Sequence, residues 1–248
     1  MGQFFVRAIY KHRGEGEVFP AVTAASGDGF GNQQTSLAGI GEGESLRRQV
    51  RSEMCIRDSP SPRPVLGAVG GLDWNRDLSP WPAPGAFGKG TDFAGKGGAF
   101  LTLLTEVLIP QGEKMMDFHP RRRALAGYSL AGLFALWSLT QTNCFQLAAS
   151  MSGSLWYDGF LQLLEREPLV CPPQKVYLSL GEKEKRTRNL RLAQVENATR
   201  SAAELLSRQG IAVELEFWPG GHFQDVHRRI ARGIQRIVEE ASACDGSA

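Results

Sequence analysis

The hexapeptide Gly127-Tyr128-Ser129-Leu130-Ala131-Gly132 constrains this chain more than any other stretch. A short β-prone run with a glycine precedes Ser129, and an apolar helical run, Leu130 to Leu139, follows it. That pattern predicts a strand turning sharply into a helix, with the serine hydroxyl raised above a sheet. The backbone N–H of Leu130 and the positive end of the new helix would then face whatever the serine attacks, giving one oxyanion donor. Small residues belong on both sides because strand and helix backbones approach closely there. The string departs from G-x-S-x-G: Ala131 holds the last place, and Gly132 comes one residue later.

Two later segments fit the same design. Lys175 to Leu180 alternates like a strand and stops at Gly181-Glu182-Lys183-Glu184. Ile211 to Trp218 reads as another strand and runs into Pro219-Gly220-Gly221-His222. Serine, then a carboxylate, then histidine, each after a strand, is the chain order of an α/β-hydrolase. In that arrangement His222 takes the Ser129 proton and returns it to the leaving group, while a carboxylate orients the imidazole. Glu184 is the preferred acid, since a Gly-x-x-acid turn starting at Gly181 places it there. Glu182 remains an alternative, as does a serine–histidine pair with no acid. Asp225 lies too near His222 in sequence to be favoured. His222 capping the last helix is the bland competitor.

Several blocks of this sequence resemble the IroE/BesA-type esterases, which include siderophore esterases that cleave trilactone siderophores. They are GYSLAGLFALWSL, SMSGSLWYD, LSLGEKEKRTRN and FWPGGHFQD, with Asn75-Arg76-Asp77-Leu78-Ser79-Pro80 and the Phe100-Leu101…Ile109-Pro110 stretch upstream. The likeness covers residues 64 to 240. It implies an α/β-hydrolase fold, a mostly parallel central sheet flanked by helices, ester hydrolysis through an acyl-serine, and neither metal nor cofactor. The implied partner is a small-molecule ester, a ferric siderophore of the catecholate trilactone type among the candidates. Some members are described as working with a Ser–His dyad. A family strand ending in Asp-Gly makes backbone near Gly29 or Phe30 a candidate second oxyanion donor, with an ordinary glycine-rich turn as the competitor. Trp156, Tyr128 and Arg76 are candidate substrate-binding residues. Trp156 is otherwise core, and Arg76 otherwise braces its loop by pairing with Asp77.

Composition agrees with one α/β domain over all 248 residues, 42% hydrophobic and 22% charged, enough for a large core. The formal net charge of +2 gives no reason to invoke nucleic acid, and Arg121-Arg122-Arg123 reads as a solvated strand entry. No apolar run is long enough for a membrane span. The opening MGQFFVRAIYKHRG lacks a basic stretch followed by a long apolar core, so a cytoplasmic location is expected. Cys55, Cys144, Cys171 and Cys244 show no zinc-ligand spacing.

Residues 31–60 stand apart. Ser45 to Ser59 fits no core-facing period, and Glu53 to Ser59 (EMCIRDS) resembles translated adapter sequence. The expectation is an N-terminal part truncated or garbled by a junction or frameshift, with a poorly ordered surface insertion as the alternative. Elsewhere, Phe4 to Tyr10 and Val18 to Ala25 read as strands, Pro64 to Val69 as a buried strand, and Asp73 to Gly98 as a long loop over the site. Phe145 to Met151 reads as a central strand. Phe100 to Leu108 reads as a helix stopped by Pro110, and Leu192 to Gln209 as one amphipathic helix closed by Gly210. Val226, Ile230, Ile234 and Ile237 give the last helix a buried stripe. Acyl transfer, peptide hydrolysis or a non-catalytic binding domain on the same scaffold stay open, and oligomeric state is not readable.

Overall fold

Neighbouring residues in the central strands point to opposite faces, and both faces are buried, as a parallel sheet requires. The computed structural model describes residues 4–9, 64–86, 92–115, 117 and 119–243. Its main sheet contains β1 (Phe4–Ile9), β2 (Pro64–Ala68), β5 (Arg122–Tyr128), β6 (Leu147–Met151), β7 (Lys175–Gly181) and β8 (Ala212–Trp218). They lie in the order β2-β1-β5-β6-β7-β8 with every neighbouring pair parallel. A two-stranded antiparallel ladder, β3 (Pro82–Ala83) with β4 (Phe93–Ala94), stands apart from it. The mixed α/β architecture with a parallel sheet is the one expected. The strand predicted over Val18 to Ala25, Gly29, and residues 31–60 lie outside the described residues.

Leu125, Ala148, Val176 and Leu178 pack on one face, against α4 (Leu130–Ser138), α5 (Phe160–Arg166) and α7 (Val195–Arg208). Ala124, Ala126, Leu147, Ala149 and Tyr177 pack on the other, against α8 (Val226–Ala243). Ile230, Ile234 and Ile237 of α8 are fully buried there, each contributing roughly 1.5–3 kcal/mol of apolar transfer. A helix with that stripe has to lie on the sheet.

Four expectations are corrected. Among the described residues Pro64–Ala68 lies at one edge of the sheet, paired only with β1, and its Leu66 is half-buried. The 73–98 stretch is not a plain loop. It carries α1 (Trp74–Asp77), the β3–β4 ladder, and the start of α2 (Gly97–Leu103). Pro110 does not stop the helix: α2 passes through a wide turn, Leu104–Leu108, into α3 (Ile109–Met115). There the Ile109 N–H reaches back five residues to the Leu104 carbonyl. A π-helical turn relieves the clash that a proline ring makes with the carbonyl four residues earlier. Finally, the helix expected from Leu192 divides at Gln194 into α6 (Leu190–Ala193) and α7, with Asn189 capping the first piece. Gly210, at φ +81°, follows α7 as expected of a C-terminal glycine. No helix among the described residues is long and apolar enough to cross a membrane.

Candidate active site

Ser129 sits between β5 and α4 with φ 60° and ψ −122°, a conformation that costs an ordinary residue on the order of 1–3 kcal/mol. Glycines make that turn feasible. A Cβ on Gly127 would lie 2.1 Å from the Ala131 carbonyl oxygen, and one on Gly132 would lie 2.7 Å from Ser150 Oγ. Close approach therefore demands glycine two residues before the serine and three after it, while Ala131 fits fully buried. That explains the departure from the usual spacing. The turn is clamped to β6: the Ser129 N–H donates to Met151 O (2.9 Å), and the Ser129 carbonyl accepts from Ser154 N (3.0 Å). Leu130 opens the helix, and the first N–H groups of a helix have no intrahelical acceptor.

The turn after β7 and the loop after β8 are laced together. Glu182 N donates to Trp218 O (2.9 Å) and Lys183 N to Gly220 O (2.9 Å). A Cβ on Gly181 would meet Gly220 O at 2.6 Å, so glycine lets the two segments touch. This lacing brings His222 Nδ1 to 2.7 Å from Glu184 Oε2, and His222 Nε2 to 3.1 Å from Ser129 Oγ. Glu184 is 3% exposed and His222 30%, so the acid is sealed while the imidazole reaches solvent. Glu182, by contrast, is exposed and turned to the surface.

Both carboxylate oxygens of Glu184 are engaged. Its Oε1 accepts from Ser152 Oγ (2.5 Å), Gly181 N (2.7 Å) and Arg229 Nη2 (3.0 Å). Burial pushes this carboxyl up, but the His222 hydrogen bond and charge, the Ser152 hydroxyl and Arg229 together bring it from 4.5 to about 2. The group is an anion at neutral pH. A half-buried hydroxyl beside an imidazole that is itself oriented by a buried anion can lose its proton to that imidazole as it attacks.

The remaining predicted residues are placed as follows. Trp156 is half-buried, packed beside Phe93, with the Arg191 guanidinium 5.1 Å from its ring centre. It stands two residues past Ser154, whose N–H holds the Ser129 carbonyl. Tyr128 lies beneath the histidine loop. It is 5% exposed, its hydroxyl donates to the His222 carbonyl (2.6 Å), and burial pushes that hydroxyl up to about 12. Arg76 takes the bracing alternative, pairing with Asp77 at 2.8 Å, while the Asp77 carboxylate also accepts from Asp73 N. Gly29 falls outside the described residues. Asp225 is exposed at φ +52°.

Two residues of the site escaped the sequence reading. Ser152, at φ +48°, bonds Glu184, and Arg229 is fully buried against Tyr128, Ser152 and Glu184. A signal existed for Arg229: it lies three residues after Val226, on the buried side of α8 rather than on the polar one.

Among the described residues no group of three or more His, Cys, Asp or Glu side chains gathers as a metal would need. Residues 64–228 match the family described as "Putative esterase". The uncharacterized protein YbbA of Bacillus subtilis (strain 168) is 27% identical over 197 residues, spanning 77% of this chain and 72% of that protein. Among solved structures, the siderophore hydrolase EstA from Aspergillus nidulans aligns with a TM-score of 0.66 at 18% identity, over 97% of this chain and 84% of that one. An IroE-like serine hydrolase from Shewanella oneidensis aligns with a TM-score of 0.65 at 14% identity, over 95% and 70%. Those two likenesses carry the fold, an α/β-hydrolase. The family match spans well over half of the sequence and includes both the serine turn and the histidine loop, so this chain belongs to the esterase family.

Proposed function

We propose that this protein is a serine esterase that hydrolyses carboxylic esters through an acyl-serine intermediate. One observation carries the reading: Ser129 Oγ lies 3.1 Å from His222 Nε2, and Nδ1 of the same ring meets the Glu184 carboxylate at 2.7 Å. Ser129 Oγ attacks the ester carbonyl carbon as its proton passes to Nε2, and the carbonyl electrons move onto oxygen. The Leu130 N–H, with a second amide expected near Gly29, stabilises that oxyanion. Each such donor is worth on the order of 3 kcal/mol in the transition state. The imidazolium then protonates the departing alkoxide, leaving the acyl-serine. Water repeats the sequence and releases the acid. Glu184 fixes the ring tautomer and stabilises the imidazolium in both halves.

The substrate class we propose is a bulky aryl ester, with siderophore esters among the candidates. Support comes from the half-buried Trp156, two residues past the Ser154 whose N–H holds the Ser129 carbonyl, a flat apolar surface on which an aromatic ring stacks, and from the likeness to the siderophore hydrolase EstA. A fluorophosphonate probe tests the mechanism: it labels the wild type and not Ser129→Ala. Well-folded wild type that takes no label would remove the hydrolytic reading. A panel of p-nitrophenyl esters beside a catecholate trilactone tests the substrate. Turnover of short acyl esters with none of the trilactone would remove the siderophore assignment and leave the esterase.

A further inference from the structure

Arg229 is a buried cation that does not touch the serine, yet its guanidinium meets three of the segments that position the site. Nη1 donates to the Tyr128 hydroxyl (2.9 Å), and Nη2 donates to Ser152 Oγ and to Glu184 Oε1 (3.0 Å). Each hydroxyl has one proton, so the directions can be assigned. Ser152 Oγ lies 3.1 Å from the Tyr128 hydroxyl and 2.5 Å from Glu184 Oε1, so its proton goes to the nearer, charged oxygen, and Tyr128 gives its own to the His222 carbonyl at 2.6 Å. Both hydroxyl oxygens then accept from Arg229. Hydrogen bonds therefore run outward from one guanidinium, ending on the carboxylate that orients the imidazole and on the backbone of His222 itself.

We propose that Arg229 is a positioning residue for the ester-hydrolysing site, acting through Glu184 and Tyr128 on His222. Its fork sets the carboxylate so that Oε2 alone faces the imidazole. Its charge balances the carboxylate, so the ring meets a neutral pair rather than a bare anion. Among the described residues the groups facing the guanidinium are Tyr128 from β5, Ser152 beyond β6 and Glu184 beyond β7, with His222 beyond β8 one bond further out. The next ion pair along α8, Arg232 with Glu216, ends on β8 and includes none of them. A lysine keeps the charge but cannot make the fork, which separates the two effects.

This inference rests on the esterase reading, so the test begins with fluorophosphonate labelling of the full-length wild type. No labelling takes down both. With labelling established, hydrolysis of p-nitrophenyl acetate is followed against pH in Arg229→Met, Arg229→Lys, Glu184→Gln and the Met/Gln double variant. Arg229→Met is expected to lower kcat about 100-fold with KM within about twofold, because a misplaced base costs on that order. Removing the balancing cation favours a charged imidazole, so the acidic limb of kcat/KM moves up by about one pH unit. Arg229→Lys keeps the limb in place and recovers part of kcat. In the Glu184→Gln background, Arg229→Met adds less than about threefold, since groups acting as one unit are not additive. An unmoved limb in Arg229→Met, or losses that multiply in the double variant, would overturn the proposal while leaving the esterase reading intact. Should Arg229→Met fail to fold, the same cycle is run with Arg229→Lys, whose loss of kcat must vanish beside Glu184→Gln.

Discussion

The two sides of His222 are built to different standards. On the Nδ1 side, Glu184 is sealed and its two oxygens accept from four partners: His222, Ser152, Gly181 and Arg229. On the Nε2 side, Ser129 Oγ is half-buried and its contact with the imidazole is 3.1 Å long. Rigidity comes from opposite sources as well. The acid is fixed mostly by side chains, Ser152, Arg229 and His222 beside the single backbone donor Gly181 N, whereas the serine is fixed by backbone, through its strained φ and its clamps to Met151 and Ser154. The contrast follows from what each group must do. An orienting anion performs best when nothing about it changes, so burial and saturation suit it. A nucleophile has to leave its resting contact and form a bond, so its hydroxyl must stay open while its main chain stays still.

That contrast can be broken by substitution. His222→Ala, which removes the shared ring, should lower kcat by about 10⁴-fold or more, read from steady-state ester hydrolysis. Glu184→Gln should cost on the order of 10³-fold in kcat by losing the tautomer-fixing anion, while Glu182→Gln stays within about threefold. The reverse ranking would move the acid to Glu182. Gly127→Ala attacks the backbone side: its methyl would sit 2.1 Å from the Ala131 carbonyl, and at least about 3 kcal/mol of stability should be lost in a urea titration.

A pH dependence sharpens the same point. The Glu184 carboxyl is held below its unfolded value, at about 2 against 4.5, so its stabilising contribution is complete above 4.5 and is lost as pH falls toward 2. Melting temperatures of wild type and Glu184→Gln should therefore converge over that window, and a constant gap would argue against the ionised, saturated acid. The smallest effect is expected at Gly221, where an added Cβ meets nothing within 4 Å. Gly221→Ala should change stability by no more than about 0.5 kcal/mol and leave the loop able to present His222.

Much of the fold could be read from local pattern. The alternating runs of β7 and β8, the apolar helix after Ser129 and the stripe on α8 are properties of a few consecutive residues, and their periods survive folding. Ser129, Glu184 and His222 were singled out because each follows a strand, and parallel strands deliver their C-terminal ends to one rim. Pro110 misled for an equally local reason. Proline usually ends a helix, and nothing in the five residues before it announces a widened turn. Nothing in the local pattern around Tyr128 announces that its hydroxyl reaches the His222 carbonyl, 94 residues further along the chain.

By itself, the amino-acid order determined the strand–helix alternation, the sharp turn at Ser129, and the sequence in which hydroxyl, carboxylate and imidazole are met along the chain. Folding alone made Arg229, 45 residues after Glu184, share that carboxylate with His222, and turned the charge of Arg76 onto the adjacent Asp77. Periodicity and turn chemistry act over a few bonds and leave their mark in consecutive letters. A buried charge finds its partner only after the sheet has closed and water has been excluded, and the spacing along the chain carries no trace of that choice.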